Sequence, residues 1–136
     1  MQINNIIKIS YVSCQLISGF LRLSETEAKI SDDIPFCELL NFKKPAALTI
    51  SDKVEDGNRV YQSKLVFLYC DHWLKNAMRL AFLCETADGV RYLIGTDERP
   101  FPIITQQENH PNNYSDNQLT EVTVSYSSGN FPPIIK

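Results

Sequence analysis

The stretch Arg79–Pro102, RLAFLCETADGVRYLIGTDERPFP, decides the fold class. Alternating apolar runs flank Asp88-Gly89, a dipeptide that tolerates the two positive φ angles of a type I′ turn, so the stretch reads as a β-hairpin. A two-residue turn pairs Ala87 with Val90, Cys84 with Leu93 and Leu83 with Ile94. Directly opposed residues share a face. The expected faces are Leu80, Phe82, Cys84 and Leu93 on one side, and Ala81, Leu83, Tyr92 and Ile94 on the other. Both are apolar, so the hairpin has to be covered twice, by core on one side and by a helix, loop or second subunit on the other.

Outward from the hairpin, 136 residues with 43% apolar and 21% charged side chains make one β-rich domain, residues 1–136, with material for a single sizeable core. Arg59 to Cys70 is the clearest strand, with Tyr61, Leu65, Phe67 and Tyr69 on one face, broken by Ser63. Its other face starts polar at Gln62 and Lys64 and turns apolar at Val66 and Leu68. Leu119 to Tyr126 is a strand with Val122, Val124 and Tyr126 inward, and Ile103 to Thr105 begins another. Ile6 to Val12 is the first strand, with Ile7, Ile9 and Tyr11 facing away from Ile6, Lys8 and Ser10. Cys14 to Leu23 either extends it or forms a second, broken at Gly19. Ala46 to Ile50 is a short strand that runs into a charged solvent loop, Asp52 to Asn58.

Helix signals are few. Ser24-Glu25-Thr26-Glu27 has the spacing of a capping box, with either a turn or two of helix or an exposed loop after it. Pro35 to Phe42 carries Phe36, Leu39 and Leu40 at helical spacing behind a proline and reads as a short helix. Asp71 to Ala77 reads as a connecting turn of helix with Trp73 and Leu74 inward. Gly95 to Pro102 is a proline-stiffened exit loop, residues 107–118 a polar loop or arm, and residues 127–136 a C-terminal tail. The expected class is mainly β, an antiparallel β-sandwich or partly closed barrel with one or two short helices.

Charge and composition narrow the function classes. A net charge of −3 argues against a nucleic-acid surface, and Lys43-Lys44 before a proline is a solvated turn. The N-terminus lacks the basic start and unbroken apolar core of a signal peptide, and no run is long enough to cross a bilayer. The cytoplasm is therefore the expected compartment. Cys14, Cys37, Cys70 and Cys84 lie within or beside apolar segments and are expected as buried free thiols, with no bound metal.

Catalytic patterns are thin. The five glycines are too scattered to cradle a phosphate, and no nucleophile signature accompanies the two histidines. Cys70-Asp71-His72 has metal-ligand residue types, which Cys84 or His110 would have to complete. Zinc sites show paired ligands twice, so a core cysteine followed by a surface histidine is the reading adopted. Asp97 and Glu98 beside Arg99 have the makings of general acid–base chemistry, but a loop salt bridge explains them equally well. No catalytic residue, cofactor or metal ligand is assigned.

The segment AFLCETADGVRYLIGTDERPFP resembles small structural proteins encoded among the tail and neck genes of prophages. The carriers are a strand, the Asp88-Gly89 turn, a second strand ending in Leu93-Ile94-Gly95, and the acidic tip Asp97-Glu98-Arg99-Pro100. The polar loop, the strand Thr120 to Tyr126 and a short proline-containing tail continue the layout, over about residues 60–130. The resemblance implies a tail-tube-like β-barrel or sandwich with a small helix, long loops that reach neighbours, and no catalytic residues to carry over.

Together these readings point to a non-enzymatic subunit of a phage or prophage particle. Its expected partners are copies of itself, in a ring, or adjacent tail proteins, without nucleic acid or membrane. The expected interface comprises Leu83, Tyr92 and Ile94 on the outer face of the hairpin and Tyr114 on the polar arm. Exposing such side chains forgoes roughly 1.5–3 kcal/mol each. The alternative class is a small β-barrel module that takes a ligand or peptide near Trp73, Tyr92 and Tyr114.

Overall fold

The computed structural model describes residues 2–39, 42–69, 79–97, 101–109 and 119–135. The fold is mainly β. The strands are β1 (Gln2–Ser13), β2 (Leu21–Arg22), β3 (Glu27–Lys29), β4 (Cys37–Leu39), β5 (Phe42–Glu55), β6 (Asn58–Tyr69), β7 (Leu80–Thr86), β8 (Arg91–Ile94), β9 (Ile103–Asn109), β10 (Leu119–Ser128) and β11 (Ile134–Ile135). One 3-10 turn, Cys14–Leu16, follows β1, and no α-helix occurs among the described residues. The strands form one sheet in the order β2-β3-β11-β8-β7-β1-β5-β6-β10-β9, with β4 also beside β1, and the path does not close into a barrel. All pairs are antiparallel except β11 with β3.

The β7–β8 hairpin forms, but in a different register from the one its turn dipeptide suggests. Phe82 faces Ile94, Leu83 faces Leu93 and Cys84 faces Tyr92. The loop has three residues, Ala87-Asp88-Gly89, and only Gly89 among them has positive φ, at 85°. The Gly89 N–H donates to the Thr86 carbonyl at 3.0 Å, and the Thr86 N–H donates to the Val90 carbonyl at 2.9 Å. The Thr86 hydroxyl accepts from the Val90 N–H at 3.2 Å. The Asn5 carbonyl of β1 takes the Ala87 N–H at 3.0 Å, which holds the extra residue in place. One added residue reverses the alternation of the whole second strand. Tyr92 and Ile94 therefore join Phe82 and Cys84 on one face, while Leu93 joins Ala81 and Leu83 on the other.

Both faces are covered from within the chain. The main core lies on the Phe82 side and gathers fully buried Ile6, Ile9, Leu48, Leu65, Val122 and Val124. The second cluster lies on the Leu93 side, with Val12, Cys14, Ile17, Ala28, Ile34 and Ile135 and half-buried Phe20, Leu83 and Phe101 against it. The segments after β1 supply most of this cover, so the single core expected for this length is divided into two. The C-terminal residues form no loose tail. Leu93 N–H donates to the Pro133 carbonyl at 3.0 Å and Ile134 N–H to the Thr26 carbonyl at 2.7 Å, seating β11 between β8 and β3.

Other expectations change for local reasons. A register shift between Ile6 and Lys8 lets Ile6 and Ile9 face the same core, and leaves Ile7 40% exposed. Where a helix was expected within Pro35–Phe42, Cys37–Leu39 is a strand, because Cys37, Glu38 and Leu39 pair with Tyr11, Ser10 and Ile9; residues 40–41 lie outside the described residues. The Ser24 hydroxyl does accept from the N–H groups of Thr26 and Glu27, yet the capped segment continues as β3. The short strand at Ala46–Ile50 is part of the much longer β5, which shifts register between Lys43 and Ala47, around Pro45. Residues 107–109 belong to β9. Cys37 is exposed, and Cys14 and Cys84 are buried free thiols.

The supposed loop Asp52–Asn58 is ordered as a hairpin. Glu55 pairs with Asn58, and Asp56 and Gly57 have φ of 50° and 81°, a two-residue turn of the primed kind. Among the described residues, β1 pairs with β5 only as far as Thr49, and β10 with β6 only from Tyr61 inward. Beyond those rungs β5 and β6 continue as a two-stranded arm whose residues 51–59 are all exposed.

Candidate functional site

Two adjoining clefts open where the β2–β3 hairpin meets the turn after β10. Gly19, with φ of 65°, turns the chain into β2, and a Cβ there would lie 3.0 Å from the Ser31 nitrogen. That close approach is held by the Ser31 N–H donating to the Ser18 carbonyl at 2.9 Å. β2 then presents Arg22, whose guanidinium lies 5.6 Å from the Phe20 ring centroid and donates to the Glu25 carbonyl at 3.2 Å. Stacking and the hydrogen bond fix the charge at the boundary of the clefts.

The opposite wall is the turn Ser128–Phe131. The Asn130 N–H donates to the Ser128 hydroxyl at 3.2 Å. Phe131 meets the Tyr61 ring edge to face, with centroids 5.7 Å apart. The first cleft, about 590 Å³, lies between Arg22–Glu25, Arg59, Tyr61 and Phe131. The second, about 560 Å³, runs along Ser18–Phe20 to Thr96, Asp97 and Tyr126. Arg22, Gly129 and Asn130 line both.

Arg59 is ion-paired with Asp52 at 2.9 Å, whereas the ion pairs among the described residues include none to Arg22. The arrangement suits capture of a carboxylate or another oxyanion, which a fixed guanidinium can hold through two parallel hydrogen bonds. Burial pushes the Tyr126 phenol up, against hydrogen bonds with Ser128 and Thr96, so it stays neutral at physiological pH. Among the described residues there is no cluster of three or more His, Cys, Asp or Glu able to hold a metal.

The described residues among those singled out from sequence do not share one exposed face. Tyr92 and Ile94 lie in the main core, Leu83 is half-buried on the opposite face, and Tyr114 lies outside the described residues. Of the ligand end expected near Trp73, Tyr92 and Tyr114, Tyr92 is only 8% exposed, and Trp73 and Tyr114 lie outside the described residues. Cys70-Asp71-His72, His110, Glu98 and Arg99 also lie outside the described residues, while Thr96 and Asp97 line the second cleft. Sequence reasoning missed Arg22, Arg59, Tyr61 and Phe131 as cleft residues. The only local hints were a turn signal at Gly129-Asn130 and an arginine inside an apolar run.

No helix among the described residues is long and apolar enough to cross a membrane. No family model, no curated protein and no solved structure matches this chain.

Proposed function

We propose that this chain is a non-enzymatic structural subunit of the phage tail or neck kind that its layout resembles, acting by contact with copies of itself and neighbouring particle proteins. The observation that carries this reading is the arm of β5 and β6, a two-stranded ribbon exposed on both faces over residues 51–59. Isolated two-stranded ribbons are marginal in water, so an ordered one gains from a surface to lie against. The faces of β7–β8 are filled by the chain's own core, which moves the expected contact from that hairpin to the arm.

A second reading, a binding module for a small anionic ligand, is favoured by the two clefts that share Arg22. One preparation separates the two. Particles are purified from the induced source strain, and the chain is quantified by mass spectrometry in the particle and soluble fractions. A fixed number of copies per particle is expected. A chain found only in the soluble fraction overturns the structural reading and leaves the binding module.

A further inference from the structure

The arm has two unlike faces. Val54 pairs with Arg59 and Asp52 with Tyr61, so these four share one face, the continuation of the one that buries Ile50 and Leu65 farther in. Val54 is 66% exposed there. The other face carries Ser51, Lys53, Glu55, Asn58 and Gln62, with half-buried Val60 opposite Lys53. Arg59 and Tyr61, at the base of the first face, also line the first cleft. The arm and the cleft are therefore neighbours on one surface.

Charge is distributed unevenly along the arm. Asp52 is neutralised by Arg59 at 2.9 Å and Glu55 by Lys53 at 2.8 Å. Asp56, at the very tip, has no ion pair among the described residues, and neither has Arg22 in the cleft. From tip to base is about 15 Å at 3.3 Å per residue.

We propose that the arm of one copy lies in the first cleft of a second copy, with the Asp56 carboxylate at the tip reaching the Arg22 guanidinium and Val54 covered by the partner's arm. Two ribbons laid side by side in opposite directions bring each tip to the other's base. Because the cleft sits at the base, one two-fold operation satisfies both sites. This proposal rests on the assembly reading above and names the partner and the residues that such contact would use.

Sedimentation velocity over a range of concentrations, at low and raised salt, tests it on the full chain. Wild type should form a dimer that raised salt weakens. Val54→Lys should abolish the dimer. Asp56→Asn, which keeps a residue tolerant of positive φ, and Arg22→Gln should each weaken it roughly tenfold. The double variant should be little weaker than either single one. Circular dichroism, and urea midpoints at a concentration where wild type is monomeric, should match wild type for Val54→Lys and Asp56→Asn, because both side chains are exposed in the single chain. A wild type that is monomeric at every concentration overturns the proposal, and so does a dimer indifferent to Val54→Lys and Asp56→Asn. Neither outcome touches the particle measurement above, which reads the assembly function by itself.

Discussion

The chain contains two Asp-Gly hairpins that behave differently. At Asp56-Gly57 the dipeptide forms the two-residue turn its chemistry favours, with positive φ at both positions. At Asp88-Gly89 only the glycine turns left-handed, and Ala87 is drawn into the loop. The first tip stands in solvent, where local preference meets no competition. The second lies beside β1, where the Asn5 carbonyl accepts from the Ala87 N–H and the buried Thr86 hydroxyl accepts from the Val90 N–H. Turn propensity amounts to about 1 kcal/mol, whereas placing Leu93, Ile94 and Tyr92 on the right faces decides several times that. Tertiary packing therefore chooses the register in the core hairpin, and local chemistry chooses it in the arm.

Deleting Val90 is the strongest way to break the contrast. With the three-residue loop kept, it pairs Thr86 with Arg91 and swaps the faces of Leu93 and Ile94, so urea unfolding should show a loss of at least about 4 kcal/mol, or no folded state. A near-wild-type midpoint would mean that the second strand re-registers freely.

A titration sharpens the contrast from inside the core hairpin. Burial pushes the Cys84 thiol up to about 12 and, with smaller effects from Arg79 and Asp97, Cys14 up to about 11. Above about pH 9 the unfolded chain loses these protons while the folded chain keeps them, so stability falls as pH rises. The expected slope is about 1.4 kcal/mol per pH unit for each thiol, with no contribution below about pH 8. Urea midpoints of wild type and Cys84→Ala between about pH 7 and 10 should differ in slope by the share of one thiol. Parallel slopes would place Cys84 in contact with water.

The smallest effect belongs to the arm. Inserting one glycine between Asp56 and Gly57 should change the urea midpoint by no more than about 0.5 kcal/mol equivalent, since residues 51–59 bury no face in the single chain. A larger loss would show that the arm packs on its own domain.

What the sequence disclosed follows the same division. Strands with strong alternation were legible: Val122, Val124 and Tyr126 face inward, as do Leu65 and Phe67. Pro35–Phe42 misled because the partner that makes Cys37–Leu39 a strand, β1, lies far back in the chain. The hairpin register was hidden because it depends on Asn5, whose amide also reaches Asp88 across 83 residues. Both hairpin faces read correctly as apolar, but no local pattern told that the segments after β1 would cover one of them. The cleft was the least legible feature, since nothing near residue 22 announces its approach to residue 130.

The seating of β11 between β3 and β8 has a consequence for how the protein is made. Ile135 completes the cluster that includes Ala28, and Ile134 packs against the main core. At the usual pace of translation, about 5–20 residues per second, roughly 5–20 s separate the synthesis of β3 from that of β11. Throughout that interval Ala28, and Leu93 once it is made, lack the strand that closes over them. The nascent chain thus carries an unfinished apolar surface on the ribosome, a substrate for chaperones until residue 135 emerges.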